Sequence, residues 1–196
     1  MNTYIESLHP KLSKNDYQKL SAIDNPKVHQ FIAESADLCG AGRIFICSDS
    51  EKDITYVRQQ AMTTGEESAL HTPGHTVHFD GENDQGRDRL ATKYLVPRGE
   101  TFSKALNQID REEGLLEVKE LLKDSMKGRT MIVRFISLGP ADSVFTILGV
   151  QCTDSWYVAH SESPFQQIEF RNARRCSCSA TEVKRNKCAG EELRIL

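Results

Sequence analysis

A planar guanidinium can donate two parallel charged hydrogen bonds to a carboxylate, where a lysine offers only a point charge. Asp84-Gln85-Gly86-Arg87 places such a group in a polar, glycine-containing stretch, Asp80 to Leu90, just before an apolar run that starts at Ala91. Loops carried on a rigid scaffold are where binding groups concentrate. Read from its neighbours alone, Arg87 pairs with Asp84 or Asp88 on the surface. His71, His75 and His78 have the spacing of metal ligands one helical turn apart, but Pro73-Gly74 would break that helix and His75 to Phe79 alternates poorly for a strand facing a metal. The residues therefore predict a turn leading into a short strand, with the histidines partly exposed and no metal held.

Six cysteines divide into two sets. Cys39, Cys47 and Cys152 sit in or beside apolar segments and read as small buried hydrophobes in a reducing compartment. Cys176, Cys178 and Cys188 lack the paired C-x-x-C spacing of a zinc site and have no histidine nearby. A phosphate-cradling G-x-x-x-x-G-K-[ST] string is absent, and Lys127-Gly128 has its last two residue types in the wrong order.

These groups need elements to hold them. Tyr4, Ile5, Leu8, Leu12, Tyr17 and Leu20 follow a helical pattern interrupted at Pro10. Asn25-Pro26 starts a second helix, with Val28, Phe31, Ile32 and Ser35-Ala36 on one face, and Cys39-Gly40-Ala41-Gly42 stops it. Arg43 to Cys47 reads as a strand, and Ser48-Asp49-Ser50 caps a helix with Ile54, Val57 and Ala61 as its buried stripe. Ala91 to Val96 makes a strand closed by Pro97, and Phe102 to Lys123 the longest helix, with Gly114 a point of breakage. Thr130 to Leu138 is a buried strand fed by the turn Met126 to Thr130, and Phe145 to Val150 and Trp156 to Ala159 are two more, separated by Thr153-Asp154-Ser155. Strand, cap and helix in this order predict an α/β domain, a mixed sheet with helices packed on it.

Three strings in this chain stand in a telling order. Met126-Lys127-Gly128-Arg129-Thr130-Met131 is followed by Leu138-Gly139-Pro140 and then by Gly149-Val150-Gln151-Cys152-Thr153-Asp154-Ser155. Together they resemble the amino-terminal, substrate-binding part of the GTP-dependent phosphoenolpyruvate carboxykinases, whose pattern reads M-K-G-R-T-M, F-S-M-G-P and I-G-V-x-L-T-D-S. Leu38-Cys39, Ile44-Phe45-Ile46-Cys47 and the acidic segment Asp49 to Thr64 are similar to a further helix, strand and helix of that family. The resemblance implies that Arg87, matching the arginine of the family's Asp-Val-Ala-Arg loop, holds the carboxylate of oxaloacetate or phosphoenolpyruvate. It implies the reaction of oxaloacetate and GTP to phosphoenolpyruvate, carbon dioxide and GDP, a step of gluconeogenesis. Asp88 and Arg89 depart from the apolar residue and glutamate that follow that arginine in the family, so the resemblance does not extend to coupling with a mobile lid. In the family, GTP and manganese are held by residues further along than this chain extends, in a nucleotide-binding domain absent here. The expectation is therefore that this chain alone carries no cofactor, binds substrate weakly and does not turn over. A non-catalytic carboxylate-binding or regulatory domain is the alternative.

The likeness is expected to run from about Phe31 to His160. Residues 1–160 would form the carboxykinase-like domain and 161–196 a divergent, basic, Cys-rich, poorly ordered tail, the mark of a chain cut short. That tail lacks the interleaved aromatics of a nucleic-acid binder. The 196 residues, 38% hydrophobic and 27% charged, suit one globular domain, and a formal net charge of -3 gives no electrostatic reason for nucleic-acid or membrane binding. No apolar run approaches the roughly 18 residues of a membrane span, and Met1 to Ser7 lacks signal-peptide character. A cytoplasmic location is expected.

Overall fold

The computed structural model describes residues 3–80, 92–138 and 147–161. Pro10 does interrupt the first helical segment. Helix α1 (Thr3–Leu8) passes into a 3-10 turn (His9–Lys11), and α2 (Lys14–Ser21) restarts where the Ser13 hydroxyl accepts from the Asp16 N–H at 3.1 Å. Helix α3 (Pro26–Leu38) starts as its sequence predicts, with the Asn25 Oδ1 accepting from the N–H groups of Lys27 and Val28. Strand β1 (Arg43–Ile46) follows, and then α4 (Glu51–Thr63), capped by Ser50. The buried stripe of α4 is Asp53, Val57 and Ala61, one residue round from the expected Ile54. The reason is an ion pair described below, which draws Asp53 inward.

Two small sheets come next: β2 (Ser68–Ala69) antiparallel to β3 (Thr76–Val77), and β4 (Tyr94–Val96) parallel to β5 (Gln108–Asp110). The strand ending at Pro97 is thus present, but the long helix from Phe102 is not. Gln108–Asp110 pairs with β4 instead, and α5 (Arg111–Leu122) begins only where the Asp110 carboxylate accepts from the N–H groups of Glu112 and Glu113. Gly114 does not break this helix. It is buried within it, and a Cβ there would lie 2.2 Å from Leu95 Cδ2, so the glycine lets α5 lie close on β4.

The main sheet has the order β1-β6-β7, with β6 (Thr130–Leu138) in the centre, parallel to β1 and antiparallel to β7 (Ile147–Thr153). Alternation along β6 divides the core. Met131, Val133 and Phe135 join Ile44 and Ile46 against α1, α2 and α3, while Ile132 faces Cys47, Val57, Ala61, Trp156 and Ala159 on the other side. Fully burying side chains of this size contributes about 1.5–3 kcal/mol each. The run Trp156 to Ala159 is not a third strand but the start of α6 (Trp156–Ser161), because the Ser155 hydroxyl accepts from the Val158 N–H at 3.1 Å and the Ser155 carbonyl from Ala159. Four apolar residues are too few for periodicity to separate helix from strand. Cys39 and Cys47 are buried and Cys152 half-buried against the core, and burial pushes the Cys47 thiol up to about 11 and the Cys152 thiol up to about 12.

Two sets of contacts lock the elements together. Lys19 on α2 reaches Asp53 on α4 at 2.7 Å, the Ile46 carbonyl at 2.8 Å and Asp16 at 3.5 Å, while Asp16 Oδ1 accepts from the Ile46 N–H. Burial disfavours the Asp53 carboxylate, but Lys19 and the hydroxyl and N–H of Ser48 outweigh it and hold its pKa below the ordinary value. The second set joins the turn after α3 to the turn before β6. The Leu38 carbonyl accepts from Asp124 N and the Cys39 carbonyl from Met126 N, and Ala41 bridges to Lys127.

Gly40 sits at φ +68 in that joint, and a Cβ there would meet Asp124 Oδ1 at 2.7 Å and Asp124 Cα at 3.3 Å. Gly40→Ala is expected to lower unfolding free energy by about 1–3 kcal/mol, from the left-handed backbone and the clash together. A denaturant titration within about 0.3 kcal/mol of the unsubstituted chain would show the joint to be slack. Asp53→Asn is expected to cost about 2 kcal/mol near neutral pH, limited because Asp16 still faces Lys19. The folded pKa of Asp53 is depressed, so its contribution is complete above the ordinary aspartate value of about 4 and is lost as pH falls through the lower folded value. The stability gap between the two proteins should therefore close in that acid range, and a gap independent of pH would assign it to packing instead of charge.

Candidate functional site

Gly65, at φ +77, ends α4 and turns the chain so that Glu66 points back across the molecule. Its Oε2 accepts from the Ser155 hydroxyl at 2.6 Å and from the Tyr157 N–H at 2.9 Å, fixing the start of α6. Burial opposes ionisation of Glu66, but Ser155 and the N–H groups of Tyr157 and Trp156 overcome it and keep the carboxyl below its ordinary pKa. The Glu66 carbonyl accepts from His78 Nδ1–H at 2.6 Å, and the His78 ring stacks on Tyr157 with centroids 3.6 Å apart. His78 Nε2 lies 3.5 Å from Asp80 Oδ1. Next to this group, Glu67 is buried and pairs with His160 Nδ1 at 2.6 Å.

Glu66, His78, Asp80, Ser155 and Tyr157 form one side of a cleft of about 750 Å³. Arg129 and Asp154 form another, joined by an ion pair of 2.7 Å between the start of β6 and the end of β7. The Arg129 side chain remains 67% exposed, so only part of its donor fork is occupied. Arg129 is thus a solvated residue of the turn that feeds β6, and also a tie between the Met126–Met131 and Gly149–Ser155 strings. The cleft combines a guanidinium with carboxylates and a stacked His-Tyr pair, which suits recognition of a small polar ligand at its rim.

Asp80, on the rim, is the last described residue before the stretch that carries Arg87. Arg87 itself, with Asp84, Asp88 and Arg89, lies outside the described residues, as do Cys176, Cys178 and Cys188 and the rest of 162–196. His71 and His75 are exposed around the β2–β3 turn, while His78 is half-buried and engaged by Glu66 and Tyr157, so the turn and short strand expected there are present. Among the described residues no three His, Cys, Asp or Glu side chains come together as a metal-binding group. Among them, too, no helix is long and apolar enough to cross a membrane. Sequence reasoning missed Glu66, Glu67 and His160. Gly65 signals the helix end, but nothing local signals partners that lie 89 to 93 positions further on.

Comparison with known proteins bears on the same strings. Residues 30–193 match the family model of the phosphoenolpyruvate carboxykinase N-terminal domain. The GTP-dependent phosphoenolpyruvate carboxykinase of Pyrococcus abyssi is 44% identical over 187 residues, 95% of this chain and 30% of that protein. That of Thermococcus sibiricus is 43% identical over 184 residues, 94% and 29% of the two chains, and that of Sulfurisphaera tokodaii 41% over 170 residues, 87% and 28%. The chain therefore spans about 30% of the length of these relatives. The match reaches well past His160, so the likeness does not stop there as the change in composition suggests. With 44% identity carried across nearly its whole length, this chain belongs to the phosphoenolpyruvate carboxykinase N-terminal domain family and corresponds to the amino-terminal part of the GTP-dependent enzymes.

Proposed function

We propose that this chain provides the carboxylate-gripping part of a GTP-dependent phosphoenolpyruvate carboxykinase, with Arg87 holding oxaloacetate or phosphoenolpyruvate. The observation that carries this reading is the 44% identity over 95% of the chain to an enzyme of that name. Two features add support. Asp84 and Arg87 match the first and last residues of the family's Asp-Val-Ala-Arg string, and Asp80, the last described residue before them, lies at the edge of a cleft whose walls are pinned by Glu66 and by Arg129–Asp154. A guanidinium keeps its charge at every accessible pH and needs no partner base to act as an anion grip.

The described residues do not fit a manganese ion, since no group of three suitable ligands forms among them. In this proposal GTP and manganese belong to a carboxyl-terminal nucleotide-binding domain of the family enzyme. In this reading the chain by itself binds substrate weakly and is inactive. A cytoplasmic setting belongs to the same proposal, in keeping with the free thiols of Cys39, Cys47 and Cys152.

A single charge-assisted contact is worth about 1.5–3 kcal/mol, which corresponds to affinity no tighter than the millimolar range. Titration with phosphoenolpyruvate, followed by amide NMR, is expected to move signals of Asp84 to Arg89 at millimolar ligand, and Arg87→Ala to abolish the shifts. Shifts confined to His71 to His78, or unchanged in Arg87→Ala, would remove the loop from the substrate site. Incubated with oxaloacetate, GTP and manganese, the chain should release no phosphoenolpyruvate above background, and turnover lost in Arg87→Ala would overturn the assignment of chemistry to the portion of the relatives that this chain does not span.

A further inference from the structure

A second pocket, of about 400 Å³, opens beside β1 between the start of α2 and the side of α4. Its wall is aromatic. Tyr56 lies 5.0 Å from Phe45 and 5.7 Å from Trp156 between ring centroids, and Tyr56 is 40% exposed, so one edge of this cluster faces the opening. The pocket also contains the carboxylates of Asp16 and Asp53, but their hydrogen-bonding capacity is directed inward. Asp53 Oδ2 accepts from Lys19, Ser48 N and Ser48 Oγ, and Asp16 accepts from Ile46 N, Lys19 and the Ser13 hydroxyl. The cations show the opposite arrangement. Arg43 and Lys52 line the same pocket, both are exposed, and neither side chain has a hydrogen bond or ion pair with a described residue.

We propose that this pocket binds a planar aromatic anion of about the size of a nucleoside monophosphate, the ring against Tyr56 and the acid group held by Arg43 and Lys52. An aromatic face rewards any flat ring, and two cations from different elements favour a dianionic group such as a phosphate monoester over a neutral one. The volume falls in the range of small-molecule sites. Lys19, shared by Asp16 and Asp53, offsets one of the pocket's two carboxylate charges, and the cations Lys11, Arg43 and Lys52 on the lining outnumber what remains.

Trp156 is the one tryptophan of the chain and lines the pocket, so its fluorescence reports occupancy. Adenosine 5′-monophosphate, titrated into the full chain with excitation at the red edge of the indole band, is expected to give a saturable change. Adenosine alone and inorganic phosphate alone should each bind at least about tenfold more weakly, since each keeps only one half of the contact set. Arg43→Gln with Lys52→Gln should weaken the nucleotide by a similar factor while leaving the circular dichroism spectrum unchanged, because both side chains are exposed. Tyr56→Leu, which keeps a large apolar side chain, should weaken adenosine and the nucleotide together. No saturable change at millimolar nucleotide, or a nucleotide affinity unmoved in the Arg43/Lys52 double variant, would overturn the proposal.

Discussion

Burial of β6 on both faces is the constraint from which the rest of the structure follows. A strand with solvent on one side could satisfy alternation with polar residues, but Met131, Ile132, Val133 and Arg134 are all essentially inaccessible. Layers are therefore required above and below, and the chain supplies them from opposite directions: α1 to α3 from before β1, and α4 and α6 from segments separated by nearly a hundred residues. Because β1 lies parallel to β6, the connection between them must cross over, and that crossover carries α4, both small sheets and α5. Glu66, His78 and Asp80, one side of the larger cleft, lie within a connection that the sheet makes obligatory.

The strings that mark the family coincide with the joints of this architecture. Leu38-Cys39 and Asp124 to Met126 meet through backbone hydrogen bonds, and Arg129 meets Asp154 across the ends of β6 and β7. Such places tolerate few residue types, since a left-handed glycine or a backbone carbonyl within reach of one particular N–H leaves little freedom. An exposed ion pair of this kind contributes about 0–1 kcal/mol, so Arg129–Asp154 is better understood as fixing register than as supplying stability. Glu66 is a stronger tie, because it accepts from a backbone N–H and a hydroxyl while partly removed from water.

Local signals were legible where the physics is local. Asn25-Pro26 and Ser50 announce α3 and α4 because a cap is satisfied within three residues, and the alternation of Ile44 to Ile46 and of Met131 to Phe135 announces the central pair of strands. The segment from Phe102 to Asp110 was misread as helix because its apolar spacing is compatible with one, and only the partner strand Tyr94–Val96, more than ten residues earlier, decides otherwise. Trp156 to Ala159 failed for a related reason: its hydrogen bonds are settled by Ser155, which reads equally well as a turn. At the site, Asp80 and the histidines could be placed near a turn, but the hold of Glu66 on α6 joins residues with no common local pattern. The role of Arg87 rests on likeness to a family and not on geometry.

Net charge is a poor guide to what this surface attracts. Counted over the sequence, acids exceed bases and the formal charge is -3. In the folded chain most carboxylates beside the two openings are occupied, Asp16 and Asp53 by Lys19 and backbone or hydroxyl donors, Glu66 by Ser155 and Tyr157, Asp154 by Arg129, while Asp80 stays exposed on the rim of the larger cleft. Arg43 and Lys52 are exposed at one opening, and Arg129 remains largely exposed at the other. A carboxylate that accepts several inward hydrogen bonds projects little field into solvent, whereas an exposed guanidinium or ammonium keeps most of its own within a Debye length of about 8 Å. At the smaller opening, where Lys11, Arg43 and Lys52 stand against Asp16 and Asp53, the local charge balance is thereby more positive than that of the whole molecule. An acidic chain can in this way present a locally cationic mouth, because folding uses Asp16 and Asp53 to hold Lys19 and its own backbone.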